Sequence, residues 1–294
     1  MLTKTTNDLT YRILSSRPFK FVVGKAKKEF FLHSALVASK SEVLGKMMNG
    51  PFIEGQQGYV TLPDEDASTI AAFVEFAFTG DYQKTIALDT SPRKAESSTP
   101  YDRDDDKEWS RPSNDHWKEF AQSIEYGFEA KTADAPVFDE GNMHVDFSEV
   151  FIAHAKVYIF ADCYGVAGLL NLAMQKLHKA LSEFRLSVRR MGSIVSLVSY
   201  CYERPCPEKL KKMVASYSAA IMDSQVTDVA ACCFQKLLED RGDFAADMAW
   251  FMACRLRSSK DLVSHGRAHI SDITEPGADL PSWRYMASRK KLRS

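Results

Sequence analysis

The side chains best suited to covalent or metal chemistry are spaced against it. Six cysteines occur, Cys163, Cys201, Cys206, Cys232, Cys233 and Cys254. Cys201 and Cys206 are five apart, Cys232 and Cys233 are adjacent, and no C-x-x-C pair exists, so the ligand spacing of a structural zinc site is missing. His265 and His269 would share one face of a helix. They lack the acidic residue of H-E-x-x-H and stand in a polar, glycine-interrupted stretch. The nearest Cys/His pairing is Cys163 with His154. On a continuous helix nine residues separate them by about 13 Å of rise, too far to touch. No G-x-S-x-G elbow occurs, and Gly165-Val-Ala-Gly168 lacks the Lys-Ser/Thr of a phosphate loop. His33, between an apolar run and a helical one, reads as a tie for loop backbone. The expectation is no catalytic residue, no cofactor and no metal, with the thiols as reduced core residues of an intracellular protein. A hydrolase of Cys/His type is the alternative from another class; it requires an exposed cysteine beside a base.

Other spacings suit recognition. Trp117, Phe120, Ala121, Ile124 and Phe128 fall at i, i+3, i+4, i+7 and i+11, with Asn114 placed to cap the helix. That stripe is the pattern of a helix that lies in a partner's groove, or of one that packs back on its own chain. The run Ser288-Arg289-Lys290-Lys291-Leu292-Arg293 reads as a solvated basic tail or as a nuclear address.

These residues sit in a chain of 294 residues, long enough for about two domains. Its 38 basic and 39 acidic residues leave a net charge of -1, which gives no global pull toward nucleic acid or an anionic membrane. The apolar runs fall short of the ~20 residues a membrane helix needs, and 1–16 hold no apolar core of a signal peptide. Composition divides the rest. Residues 84–146 carry 15 acidic and 8 basic residues, a net charge of −7, and four prolines. This stretch reads as a largely disordered insertion. Dense apolar sequence stands on either side, at 19–80 and 145–256.

The elements that must position any site follow from periodicity. FKFVV (19–23) and EFFL (29–32) are β-rich runs joined by Gly24 and lysines, a hairpin. Two short helices are predicted at 34–39 and 41–49, the second with Val43, Leu44, Met47 and Met48 on its apolar face and stopped by Gly50-Pro51. YVTL (59–62) is a third strand. Ile70, Phe73, Val74, Ala77 and Phe78 then mark an amphipathic helix. After the insertion helices follow at about 150–164, 169–177 and 194–202. Another is marked by Leu210, Met213, Val214, Tyr217 and Ile221, and two more are expected at 226–238 and 244–256.

This order of elements, and several strings within it, resemble the BTB/POZ domain family. FKFVVGKAKKEFFLHSALVASKSEVLGKMMNG (19–50) is similar to its opening hairpin and first helix pair. YVTLPDED (59–66) and FVEFAFTGDY (73–82) are similar to its third strand and the helix that follows. VYIFADCYGVAGLLNLAMQKL (157–177) is similar to its closing helix pair. The insertion and helical C-terminal half resemble fungal proteins with one such domain. The resemblance implies an α+β fold, a small three-stranded sheet with surrounding helices, followed by an all-α region. The parts expected are a first BTB segment at 17–83, the insertion at 84–146, closing helices at 147–180, a helical region at 181–257 and a flexible basic tail at 258–294.

The resemblance also implies a non-enzymatic protein–protein interaction module. In members that recruit cullin-3 ubiquitin ligases a hydrophobic-x-Glu motif stands near Phe52-Ile53-Glu54. Met47, Met48, Phe52 and Glu54 are then the expected cullin surface, with Trp117, Phe120 and Ile124 as a second protein-binding set. The partners so implied are proteins, cullin-3 or a second copy of the chain, with neither nucleic acid nor membrane. The alternative is a self-associating scaffold or transcriptional cofactor without a ligase. Many dimeric members carry an Asp before the first strand; Arg17 and Pro18 stand there here, which argues against a corepressor groove. The implied location is intracellular, cytoplasmic or nuclear.

Overall fold

A computed structural model describes residues 10–83, 112, 114–126, 147–187, 190–222 and 235–261. His265, His269, Cys232, Cys233, Phe128 and the basic run at 288–293 lie outside them. The chain divides into two units, Met1–Phe251 and Met252–Ser294. The described part of the second, 252–261, is helical. The core and the surfaces below belong to the first.

Strand β1 (Pro18–Val23) alternates Phe19, Phe21 and Val23 inward with Lys20 and Val22 outward, the period of a half-buried strand. It pairs antiparallel with β2 (Lys28–His33) through a turn in which the Lys27 amide donates to the Gly24 carbonyl at 3.1 Å. On its other side it pairs parallel with β3 (Tyr59–Leu62), so the sheet is mixed and ordered β2-β1-β3. A parallel pair needs a crossover. Here it is three short helices, α1 (Ser34–Lys40), α2 (Glu42–Asn49) and α3 (Ile53–Gln57). His33 ties the entry to the first of them: its Nδ1 lies 3.0 Å from the Ser16 carbonyl oxygen, and the Ser16 hydroxyl accepts from the Ala35 amide.

Helix α4 (Ala67–Thr79) follows β3, buries Ile70, Phe73, Phe76 and Ala77, and ends at Gly80 in the left-handed region. The α+β half is completed from far along the chain by α6 (Ser148–Cys163) and α7 (Ala167–Glu183). Phe160 meets Phe73 with ring centroids 5.4 Å apart. Ser41 caps α2 by accepting from the Leu44 amide, and its own hydroxyl donates to the Tyr164 carbonyl. Tyr82 Oη is 2.9 Å from His154 Nδ1, and Lys176 donates to the Tyr82 carbonyl. Residues some 70 to 120 positions apart are thus joined by packing and by hydrogen bonds.

The all-helical region adds α8 (Met191–Tyr202), α9 (Glu208–Ile221) and α10 (Gly242–Asp261), with 235–240 also helical. Among the described residues, no helix is long and apolar enough to cross a membrane.

Candidate protein-binding surfaces

The corner between α2 and α3 is set by close backbone approach. Helix α2 stops where the Gly50 amide donates back to the Lys46 carbonyl at 2.8 Å. Gly55, one turn into α3, lies so near the end of α2 that a Cβ there would stand 2.6 Å from the Gly50 carbonyl oxygen. Only glycine fits without displacing backbone. The Arg17 guanidinium donates to the Met48 carbonyl. The corner is therefore closely packed, and it holds two apolar side chains out to solvent: Phe52 is 55% exposed and Ile53 68%. Glu54 is half-buried in the first turn of α3, where a carboxylate is favoured by the helix dipole.

Met47 is half-buried and packed against the core. Met48 is not part of the exposed patch. It points into the core beside Leu44 and is fully buried, which corrects its expected place on the surface. Adjacent helical residues diverge by about 100°, so only one of the two methionines can point directly into the core. Val43, read as core, is instead 36% exposed on the Met47 face, one turn earlier. Ile53, the spacer of the hydrophobic-x-Glu pattern, is the residue that sequence reasoning misses. Phe31 on β2, Tyr59 on β3 and Phe78 on α4 are also exposed but are carried on separate elements, while Tyr11 and Leu14 share a helical turn before β1. Phe52 and Ile53 are adjacent.

The second expected set is placed differently. Helix α5 (Asp115–Ala121) and a 3-10 turn, Ile124–Tyr126, lie within the stretch expected to be largely disordered. Asn114 caps α5 by accepting from the Trp117 amide at 2.7 Å, and its amide nitrogen donates to the Ala220 carbonyl on α9 at 3.1 Å. Trp117 is 7% exposed and Phe120 2%. The Phe120 ring meets His178 of α7 at 4.8 Å and Tyr217 of α9 at 5.3 Å between centroids. Of the two expectations for this stripe, packing on its own chain is what the fold contains, so Trp117 and Phe120 are not free surface anchors. The Ile124 side chain lies outside the described residues.

His178 Nε2 is 2.7 Å from the Phe120 carbonyl oxygen. A carbonyl can only accept, so this nitrogen carries the proton. Burial pushes the His178 pKa down, and the bond to Phe120 opposes that shift in part. The neutral imidazole is therefore favoured by folding. The stability this supplies is complete above the ordinary histidine pKa of about 6.5 and is lost as pH falls below it. Thermal unfolding between pH 7.5 and 5 should show that loss. It should shrink in His178→Gln, whose amide can donate the same bond without titrating.

Tyr217 is wholly buried, and its hydroxyl has no hydrogen-bond partner among the described residues. Burial pushes its pKa well up. Tyr217→Phe should then raise stability by about 1 kcal/mol, because it removes a desolvated, unpaired donor. Urea denaturation reads this, and a loss above about 1 kcal/mol would show that the hydroxyl is paired.

The residues considered for covalent chemistry are spread through the fold. Cys201 and Cys206 are buried, and the Cys201 thiol is pushed up by its hydrogen bond with Cys206 and by burial. His154 Nδ1 is engaged by Tyr82, and Cys163 is half-buried at the far end of α6. Among the described residues no group of three His, Cys, Asp or Glu could hold a metal ion.

No curated protein matches the chain in sequence. Residues 19–95, which span the sheet, the crossover helices and α4, match the BTB/POZ domain. The mixed three-stranded sheet and its surrounding helices agree with that match, and a helical C-terminal region follows outside it. The chain carries a BTB/POZ domain, a member of a family of protein-interaction folds.

Proposed function

We propose that the chain is a non-enzymatic adaptor that presents the α2–α3 corner to cullin-3 inside the cell and holds a client through its C-terminal helical region. The observation that carries this reading is the exposure of Phe52 and Ile53 side by side on a closely packed corner, with Glu54 beside them. Apolar anchors on a preorganised frame supply most of the affinity in such contacts, and a rim carboxylate adds direction. The chain purified from a native lysate should bring cullin-3 with it, read as peptides by mass spectrometry.

A second reading, self-association as a scaffold or transcriptional cofactor, is favoured by Tyr11 and Leu14. They are exposed three residues apart on a helical turn before β1. If two copies pair there, Leu14→Glu should convert a dimer to a monomer by light scattering. A parent protein that is already monomeric at tens of micromolar would remove this reading.

A further inference from the structure

The segment 114–126 has the features of a docked ligand rather than of an element of the scaffold. Its helix is seven residues long, too short to hold its shape alone in water. Its outward residues Asp115, Lys118, Glu119 and Glu125 are exposed, while Trp117, Phe120 and Tyr126 enter a groove between α7 and α9. Lys118 pairs with Asp115 of the same helix rather than with the groove. Its polar ties to the groove include the Asn114 amide on the Ala220 carbonyl and His178 on the Phe120 carbonyl.

The floor of the groove points to a better ligand. Tyr217 lies under both anchors, with ring centroids 5.3 Å from Phe120 and 6.2 Å from Trp117. Its hydroxyl is buried and has no partner among the described residues. The seated segment leaves a donor unused, so an occupant that offered an acceptor there would recover a hydrogen bond that this one forgoes.

We infer that the α7–α9 groove is a helix-docking site, filled in cis by residues 114–126 as a replaceable occupant. Its other ligand is a partner's amphipathic helix with aromatic residues at i and i+3 and an acceptor that reaches Tyr217. The groove is separate from the α2–α3 corner, so this inference stands or falls independently of the cullin-3 reading. Binding there is gated: a partner must displace the chain's own segment first, and its apparent affinity falls by the fraction of chains whose groove is closed.

The test keeps the full chain. One site-specific protease sequence is inserted after Pro100 and another after Asp134, the folded protein is cut, and a fluorescent peptide of residues 101–134 is added. The native fragment should leave, the labelled peptide should replace it, and the helical circular dichroism of the remainder should persist. A peptide with Trp117→Ala and Phe120→Ala should bind at least about 100-fold more weakly. Among peptides carrying Asn or Gln at each position from 115 to 126 in turn, at least one should bind about tenfold tighter and lose that gain on Tyr217→Phe. A fragment that never exchanges, or a remainder that unfolds once cut, overturns the inference, because the segment is then integral core. If no acceptor scan gains affinity, the assigned partner chemistry is wrong. If the uncut chain is a dimer that becomes a monomer on cutting, the segment joins two copies and the partner helix is overturned.

Discussion

Phe120→Ala is expected to lower stability by about 3–5 kcal/mol, the cost of truncating a buried aromatic into a cavity that collapses only in part. Phe120 is the centre of an aromatic cluster: its ring meets Trp117, Tyr126, His178 and Tyr217 with centroids 4.8 to 6.2 Å apart. Tilted ring contacts of this kind add to the area term. The size of the loss also reports how the segment is held. If residues 114–126 can leave the groove, no substitution within them can cost more than their docking free energy. The double variant Trp117→Ala, Phe120→Ala would then lose little more than either single one, a shortfall from additivity that marks residues acting as a unit. Urea midpoints of the three variants measure this. Losses that simply add would mean that the segment stays seated until the whole domain unfolds, and a loss under about 0.5 kcal/mol would mean that Phe120 is not core.

Phe52→Ala with Glu54→Ala should do the opposite: leave the fold and remove the partner. Phe52 is more than half exposed and Glu54 half-buried, and neither side chain is part of the hydrophobic core. Surface changes of this sort move stability by about 0.5 kcal/mol or less. Each truncated anchor at an interface centre typically costs more than ~1–2 kcal/mol, so together they should weaken cullin-3 binding by about 100-fold. Ile53→Ala, at the more exposed of the two apolar positions, should weaken it by about tenfold on the same argument. A collapse of thermal stability in the double variant would place Phe52 in the core. Unchanged binding would move the contact elsewhere.

What the sequence discloses here follows from the range of the interactions. The hairpin and α4 are legible because alternation at 19–23 and the 3.6-residue period at 70–78 are local signals, read without knowledge of the rest of the chain. The stripe Trp117, Phe120 shows equally well that a helix is intended. It cannot show what covers that helix, because the groove is assembled from His178 and Tyr217, some 60 and 100 positions away. The acidic composition around it hides it further, since average charge says nothing about one short apolar face. The methionine pair shows the same limit at shorter range. Met47 and Met48 are chemically alike, and only the rotation of α2 on the core decides that Met48 is buried. The exposed Ile53 was hidden by the opposite error, a motif whose middle position is treated as a blank.

Isothermal titration of the purified full chain against purified cullin-3 tests the central claim most directly. The account predicts saturable one-to-one binding by the wild-type chain and a loss of about 100-fold in the Phe52→Ala, Glu54→Ala variant, with the melting temperatures of the two chains within about 2 °C of each other. No heat of binding from the wild-type chain at tens of micromolar, or equal affinity in both chains, would contradict it.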